Sequence, residues 1–148
     1  MYIFSLSSTH YSSLLMSSAD FLLAPMAGAE HREVGGVHLD FMRAGAARVK
    51  RVVYPTDFRW SRNMKPIVGT ELCQHAHVGF LAQGQLHIQY ADGANETFTA
   101  PQVVVITPGH DGWVVGNEPA VMIEFDFEGE TMQRLGLTNL HQPTEGAK

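Results

Sequence analysis

The sequence has a single cysteine in 148 residues. No intramolecular disulfide can form, and a reducing cytoplasmic location is expected. No apolar run approaches the roughly 20 residues that cross a bilayer, so no membrane association is expected. Charged residues make up only 17% of the chain and the net charge is −5. That balance disfavours non-specific binding of nucleic acid. There is no repeat longer than a hairpin. There is also no nucleophile elbow, phosphate-cradling glycine loop or zinc-finger spacing, which removes the enzyme and binding classes that depend on them. What is present is 45% hydrophobic residues, enough for one globular domain with a real core.

No lysine or arginine precedes Arg32. A secretory leader needs a basic start and a longer apolar core than Phe21–Met26, which Pro25 interrupts. None is expected, despite the Ala27-Gly28-Ala29 triplet, and Met16 offers an alternative start. Residues 1–36 read as a loose N-terminal arm with an apolar Phe21-Leu22-Leu23 segment. Seven of the ten basic residues fall between Arg43 and Lys65, and read as a solvated face rather than a polyanion site.

From Gly36 onward the pattern is β. Val37–Met42 alternates, and Ala47–Tyr54 is a second run ended by Pro55. Gln85–Tyr90 alternates Leu86, Ile88 and Tyr90 against polar positions, and Asp92-Gly93 marks a turn. Val103–Ile106 stops at Pro108-Gly109, Trp113–Val115 is short, and Ala120–Phe127 alternates again. A short helix fits Glu130–Leu135, followed by a polar tail. Short strands with turn signals between them predict an all-β sandwich or barrel.

The stretch Gly69–Gly84 concentrates the chemistry. Glu71, Cys73, His75 and His77 occur within seven residues. In an extended chain, positions two apart share a face, so one face would carry a carboxylate, a thiol and imidazoles. Thiolate and imidazole are the usual ligands of zinc and related first-row metals. Each residue also has a plainer reading. A lone cysteine is often a small buried hydrophobe. His75 reads as a turn residue, His87 as solvated or satisfied, Phe80 and Trp113 as core, and Asp111 as a turn-former.

Several short features occur together: Trp60-Ser61, Lys65-Pro66, Gly69-Thr70-Glu71-Leu72-Cys73, and Pro108-Gly109-His110-Asp111. With the run VGFLAQGQLHI and the segment VVVITPGHDGWVVGNEPAVMIEF, they make residues 52–127 resemble the cupins, RmlC-like β-barrels. Within that superfamily the chain looks most like a group of small stand-alone cupins with no firm common activity. The resemblance implies a single jelly-roll barrel (a double-stranded β-helix) over residues 37–130, with residues 131–148 as short helix and tail.

The family's first motif is G-x5-H-x-H-x3-4-E-x6-G and its second is G-x5-P-x-G-x2-H-x3-N. Counted from Gly69, the first motif finds His75 and His77, but its glutamate falls on Leu81 or Ala82. Counted back from Gly84, its ligand positions fall on Glu71, Cys73 and His77, and this register is preferred. The second motif's histidine falls on His110 or Asp111, with His110 preferred. The implied metal ligands are Glu71, Cys73, His77 and His110. They would hold a divalent ion, zinc first, with iron, nickel or copper as alternatives. If Glu71 only orients a water, the site is open.

Two functions stand close together. One is a metal-dependent enzyme of oxygenase, isomerase or lyase type on a small polar molecule. The other is a non-catalytic metal-binding or sensor module with a closed site. A barrel whose site has decayed ranks third. The expected partners are a small-molecule ligand and a second copy in a homodimer.

Overall fold

A computed structural model describes residues 18–45 and 47–127. A short helix, α1 (Ser18–Leu23), precedes the first strands. β1 (Glu30–Val34), β2 (Val37–Ala44) and β3 (Ala47–Tyr54) form an antiparallel meander. Two helical turns follow, α2 (Trp60–Asn63) and α3 (Lys65–Val68). The remaining strands are β4 (His77–Gln83), β5 (Gln85–Tyr90), β6 (Asn95–Thr99), β7 (Gln102–Ile106), β8 (His110–Val115) and β9 (Ala120–Phe127).

They make two antiparallel sheets. One is six-stranded in the order β1-β2-β3-β9-β4-β7, and the other three-stranded in the order β6-β5-β8. Alternation explains how they pack. Leu81, Val104, Ile106 and Met122 of the large sheet share one buried cluster with Leu86, Ile88, Phe98 and Val114 of the small one. Each such side chain contributes about 1.5–3 kcal/mol on burial.

β9 fits between β3 and β4, and its pairing with β4 is unusually close. Gly79 stands opposite Glu124. A Cβ at Gly79 would lie 2.0 Å from the Ile123 carbonyl oxygen, so no larger residue is accommodated there.

The start of the sheet differs from the expectation. Pairing begins at Glu30, inside the expected arm, and residues 22–26 are fastened rather than loose. Arg51, buried on the outer face of β3, donates to the carbonyls of Leu22 and Ala24 and pairs with buried Asp40. The Met26 amide donates to that same carboxylate at 2.8 Å. Arg51 is thus no part of a solvated basic face.

Residues 71–77 do not run as one strand. β4 begins only at His77, and Gly69, at φ 83°, closes α3 into an irregular loop. Phe80 is exposed on the outer face and Trp113 is half-buried, so neither is core. The helix expected at Glu130–Leu135 and the first 17 residues lie outside the described residues. No helix among the described residues is long and apolar enough to cross a membrane.

Candidate metal centre

The loop after α3 is pinned to the start of β8. The Cys73 amide donates to the His110 carbonyl at 2.8 Å, and the Gly109 amide donates to the Cys73 carbonyl at 2.7 Å. This bridge holds Cys73 beside His110, residues far apart in sequence. His77 opens β4 with the same parity as the buried Gly79 and Leu81, so its ring turns inward.

His110 Nδ1 lies 2.6 Å from the Thr107 carbonyl oxygen. A carbonyl only accepts, so Nδ1 carries the hydrogen and Nε2 is the nitrogen left for a ligand role. Cys73 Sγ is 3.6 Å from His77 Nε2. The ligand atoms of Cys73, His77 and His110 all lie within 4.8 Å of one another. Ligand atoms around a tetrahedral zinc sit roughly 3.3–3.7 Å apart, so a contraction of about 1 Å at most would close the shell.

Behind His77 lies a residue that the sequence reading missed. Glu124 is fully buried, and its Oε1 is 3.0 Å from His77 Nδ1. The Tyr54 hydroxyl donates to the same oxygen at 3.4 Å. Lys50 Nζ is 2.8 Å from Oε2 and 3.3 Å from His75 Nε2. Such a carboxylate on the far nitrogen fixes a ligating histidine's orientation and tautomer. His75, His77 and Glu124 form a second group within the same 4.8 Å limit.

The electrostatics are strongly coupled. Burial works to raise the Cys73 thiol, but hydrogen bonds from His110 and His77 outweigh it and lower it to about 6. Burial works to lower His77, but the Glu124 charge and the Cys73 contact carry it up to about 9. Burial works to raise Glu124, yet His77 and Lys50 hold it at about 2. A thiolate–imidazolium–carboxylate row suits a place where a cation can replace the shared proton.

A cavity of about 370 Å³ reaches Cys73, His77 and Glu124. A separate space of about 40 Å³ touches His77 and His110 from the core side. A larger cleft, about 530 Å³, lies at the other end of β4 around Gln83, Thr99 and Asn117. It holds none of these donors, so size alone does not choose the site.

Among solved structures, the chain is similar to a Cupin 2 conserved barrel domain protein from Salinispora arenicola CNS-205. The TM-score is 0.51 at 15% identity, over 77% of this chain and 94% of that one. The fold is that of a cupin domain. KdgF from Halomonas sp. is also similar (TM-score 0.49, 13% identity, 70% of this chain and 92% of that one). So is the cupin domain of Schizosaccharomyces pombe Cnp3 (TM-score 0.48, 8% identity, 76% and 79%). No protein-family model matches the chain, and no curated protein matches its sequence.

In this cupin barrel, three of the four expected ligands come together and Glu71 does not. Its side chain is 86% exposed and paired with Lys65. The parity argument that included it required a strand where the chain makes a loop. His75 is half-exposed on that loop, its ring 4.9 Å from His77, rather than at a turn between strands.

Asp111 is no turn-former. It is buried in β8, paired with Arg59 Nη2 at 2.8 Å, and accepts from the Ser61 amide and hydroxyl at 3.0 and 2.9 Å. It therefore clamps α2 to β8, which gives the Trp60-Ser61 and His110-Asp111 features a shared structural reason. His87 is satisfied by Thr97 at 2.7 Å and lies against Trp113.

Proposed function

We propose that this protein is a metal-binding cupin that binds or acts on a small molecule, with a divalent ion, zinc by preference, held by Cys73, His77 and His110. One observation carries the reading: these three donors converge from a loop, β4 and β8 between two cavities, one of which reaches Cys73 and His77. One sulfur and two nitrogens suit zinc, with iron, nickel or copper as alternatives. Three protein ligands leave a position for substrate or water, the arrangement of catalytic rather than structural sites.

When bound, the ion would supply Lewis acidity toward an oxygen of the ligand. The chain's own residues do the rest. Glu124 orients His77 through Nδ1, the Thr107 carbonyl orients His110, and Lys50 balances the buried carboxylate. An oxygenase, isomerase or lyase would all use such a site.

The second reading is a closed, non-catalytic sensor. It is supported by a fourth donor nearby, the imidazole of His75, whose ring lies 4.9 Å from that of His77. The single cysteine, with no partner for a disulfide, favours a reducing, cytoplasmic setting. A homodimer is supported by Phe80, Val103 and Val105, exposed together on the outer face of β4 and β7. A monomeric mass in solution would remove that part.

The test is elemental mass spectrometry of untagged protein and of Cys73→Ser, His77→Ala and Glu71→Gln. About one equivalent of metal is expected in the wild type and in Glu71→Gln, and little in the other two. X-ray absorption on the loaded protein then counts ligands: three protein donors support the open site, four the sensor. No metal in the wild type, or metal kept by Cys73→Ser, defeats the reading.

A further inference from the structure

We propose that the Lys50 ammonium is the resident cation of a second metal position, formed by Glu124 Oε2 and His75 Nε2, and that this lysine holds the centre to a single ion. The proposal deepens the metal-site reading above and rests on it for the first ion.

The two oxygens of Glu124 serve different partners. Oε1 lies 3.0 Å from His77 Nδ1 and accepts from the Tyr54 hydroxyl at 3.4 Å. Oε2 is buried and has no hydrogen-bond donor aligned with it, although Lys50 Nζ stands 2.8 Å away. That contact is charge against charge, without the direction of a hydrogen bond. A metal ion meets a carboxylate oxygen on the same terms.

His75 supplies the second donor. Its Nε2 lies 3.3 Å from the same Nζ and 4.0 Å from Glu124 Oε2. An ammonium only donates, so Nε2 is the bare nitrogen of that ring and carries the lone pair an ion would take. Ligand atoms on zinc lie roughly 3.3–3.7 Å apart, so the carboxylate oxygen and the imidazole nitrogen need only a slight approach to share one ion. Both residues, with Lys50, line the cavity of about 370 Å³, which opens the remaining coordination positions to water. His77 keeps its hydrogen bond to Oε1, so the first position is left intact.

An ammonium in a cation's place has two effects. It neutralises the buried carboxylate without a second ion, and it repels any ion that approaches. The centre is then a single-ion site with a fixed positive charge at its flank, and not a two-metal clamp.

Zinc held by untagged full-length protein is counted by equilibrium dialysis and elemental mass spectrometry. Wild type is expected to hold about one equivalent and Lys50→Met about two. The second ion should bind Lys50→Met at least about tenfold tighter than wild type, since it no longer displaces a charge-assisted contact. Lys50→Arg keeps the charge and should stay at one equivalent. Lys50→Met/His75→Ala should return to one. Lys50→Gln takes the place of Lys50→Met should circular dichroism show that variant unfolded. The proposal is overturned if the lysine-free variant stays at one equivalent, or if its second equivalent survives His75→Ala. If wild type holds no zinc, and Lys50→Met takes one ion that His75→Ala removes and Cys73→Ser does not, the second position stands and the Cys73 reading falls. One equivalent in wild type, lost in Cys73→Ser, with no gain on removing the lysine refutes the second position alone.

Discussion

Replacing Glu124 by Gln probes the centre through a residue that is not one of its proposed ligands. The substitution keeps shape and removes one charge. Glu124 is fully buried and its carboxylate faces His77, Lys50 and Tyr54. Lys50, whose side chain is only 17% exposed, is left without its carboxylate. Breaking a buried pair by removing one partner costs about 3–5 kcal/mol. Lys50 is long and borders a cavity, so it can relax, and the cost falls to or below the lower end of that range, about 2–3 kcal/mol. For a domain of this size that lowers Tm by roughly 10 °C.

The thermal scan is run with a chelator, so that lost metal does not add to the shift. A separate competition titration reads zinc affinity, which should fall about 10–100-fold because His77 loses its orienting partner. The double variant Glu124→Gln/Lys50→Met should recover part of the stability and none of the affinity. If Glu124→Gln melts within about 2 °C of wild type and keeps its zinc affinity, the coupled network does not operate.

Four further outcomes follow from the same geometry. Hydrogen bonds from Ser61 and Arg59 overcome the raising effect of burial and hold the Asp111 carboxyl below its ordinary value. A depressed carboxylate stabilises the fold above its unfolded pKa, and that stability is lost as pH falls through the folded one. Urea midpoints between about pH 5 and pH 2 should therefore fall less steeply in Asp111→Asn. Gly79→Ala should cost more than about 3 kcal/mol, because its Cβ would meet the Ile123 carbonyl oxygen. Gly93→Ala, with no atom within 4 Å but φ +88°, should cost about 1 kcal/mol by the same denaturation assay. Arg51→Met leaves Asp40 buried without its cation and frees the Leu22 and Ala24 carbonyls. Limited proteolysis should then cut around Met26 well before the barrel unfolds.

The fold was legible because alternation is a local property. Leu86, Ile88 and Tyr90 announce which face of β5 is buried before any partner strand is known. The site was legible only where its residues are chemically unusual, as Cys73, His77 and His110 are. Glu71 misled because a period-two argument presupposes a strand, and Gly69 ends a helical turn there instead. Glu124 and Lys50 were missed because each is an ordinary charge within a β run. The available signal was parity: Glu124 follows Ala120 and Met122 on the inward face, and Lys50 precedes Val52 and Tyr54 on theirs. A charge at an inward position requires a partner, but which strand supplies it is decided by tertiary pairing. The basic cluster misled for a related reason, since Lys50, Arg51 and Arg59 are each spent on a specific carboxylate.

The backbone bridge between Cys73 and His110 also bears on time. Two proposed ligands from distant parts of the chain are clasped by paired amides, so an ion bound between them would leave only after the loop lifts from β8. Metal exchange would then be clocked by that opening rather than by the strength of any one bond. Amide hydrogen exchange at Cys73 and Gly109, the donors of the clasp's two shortest bonds, reads the same clock.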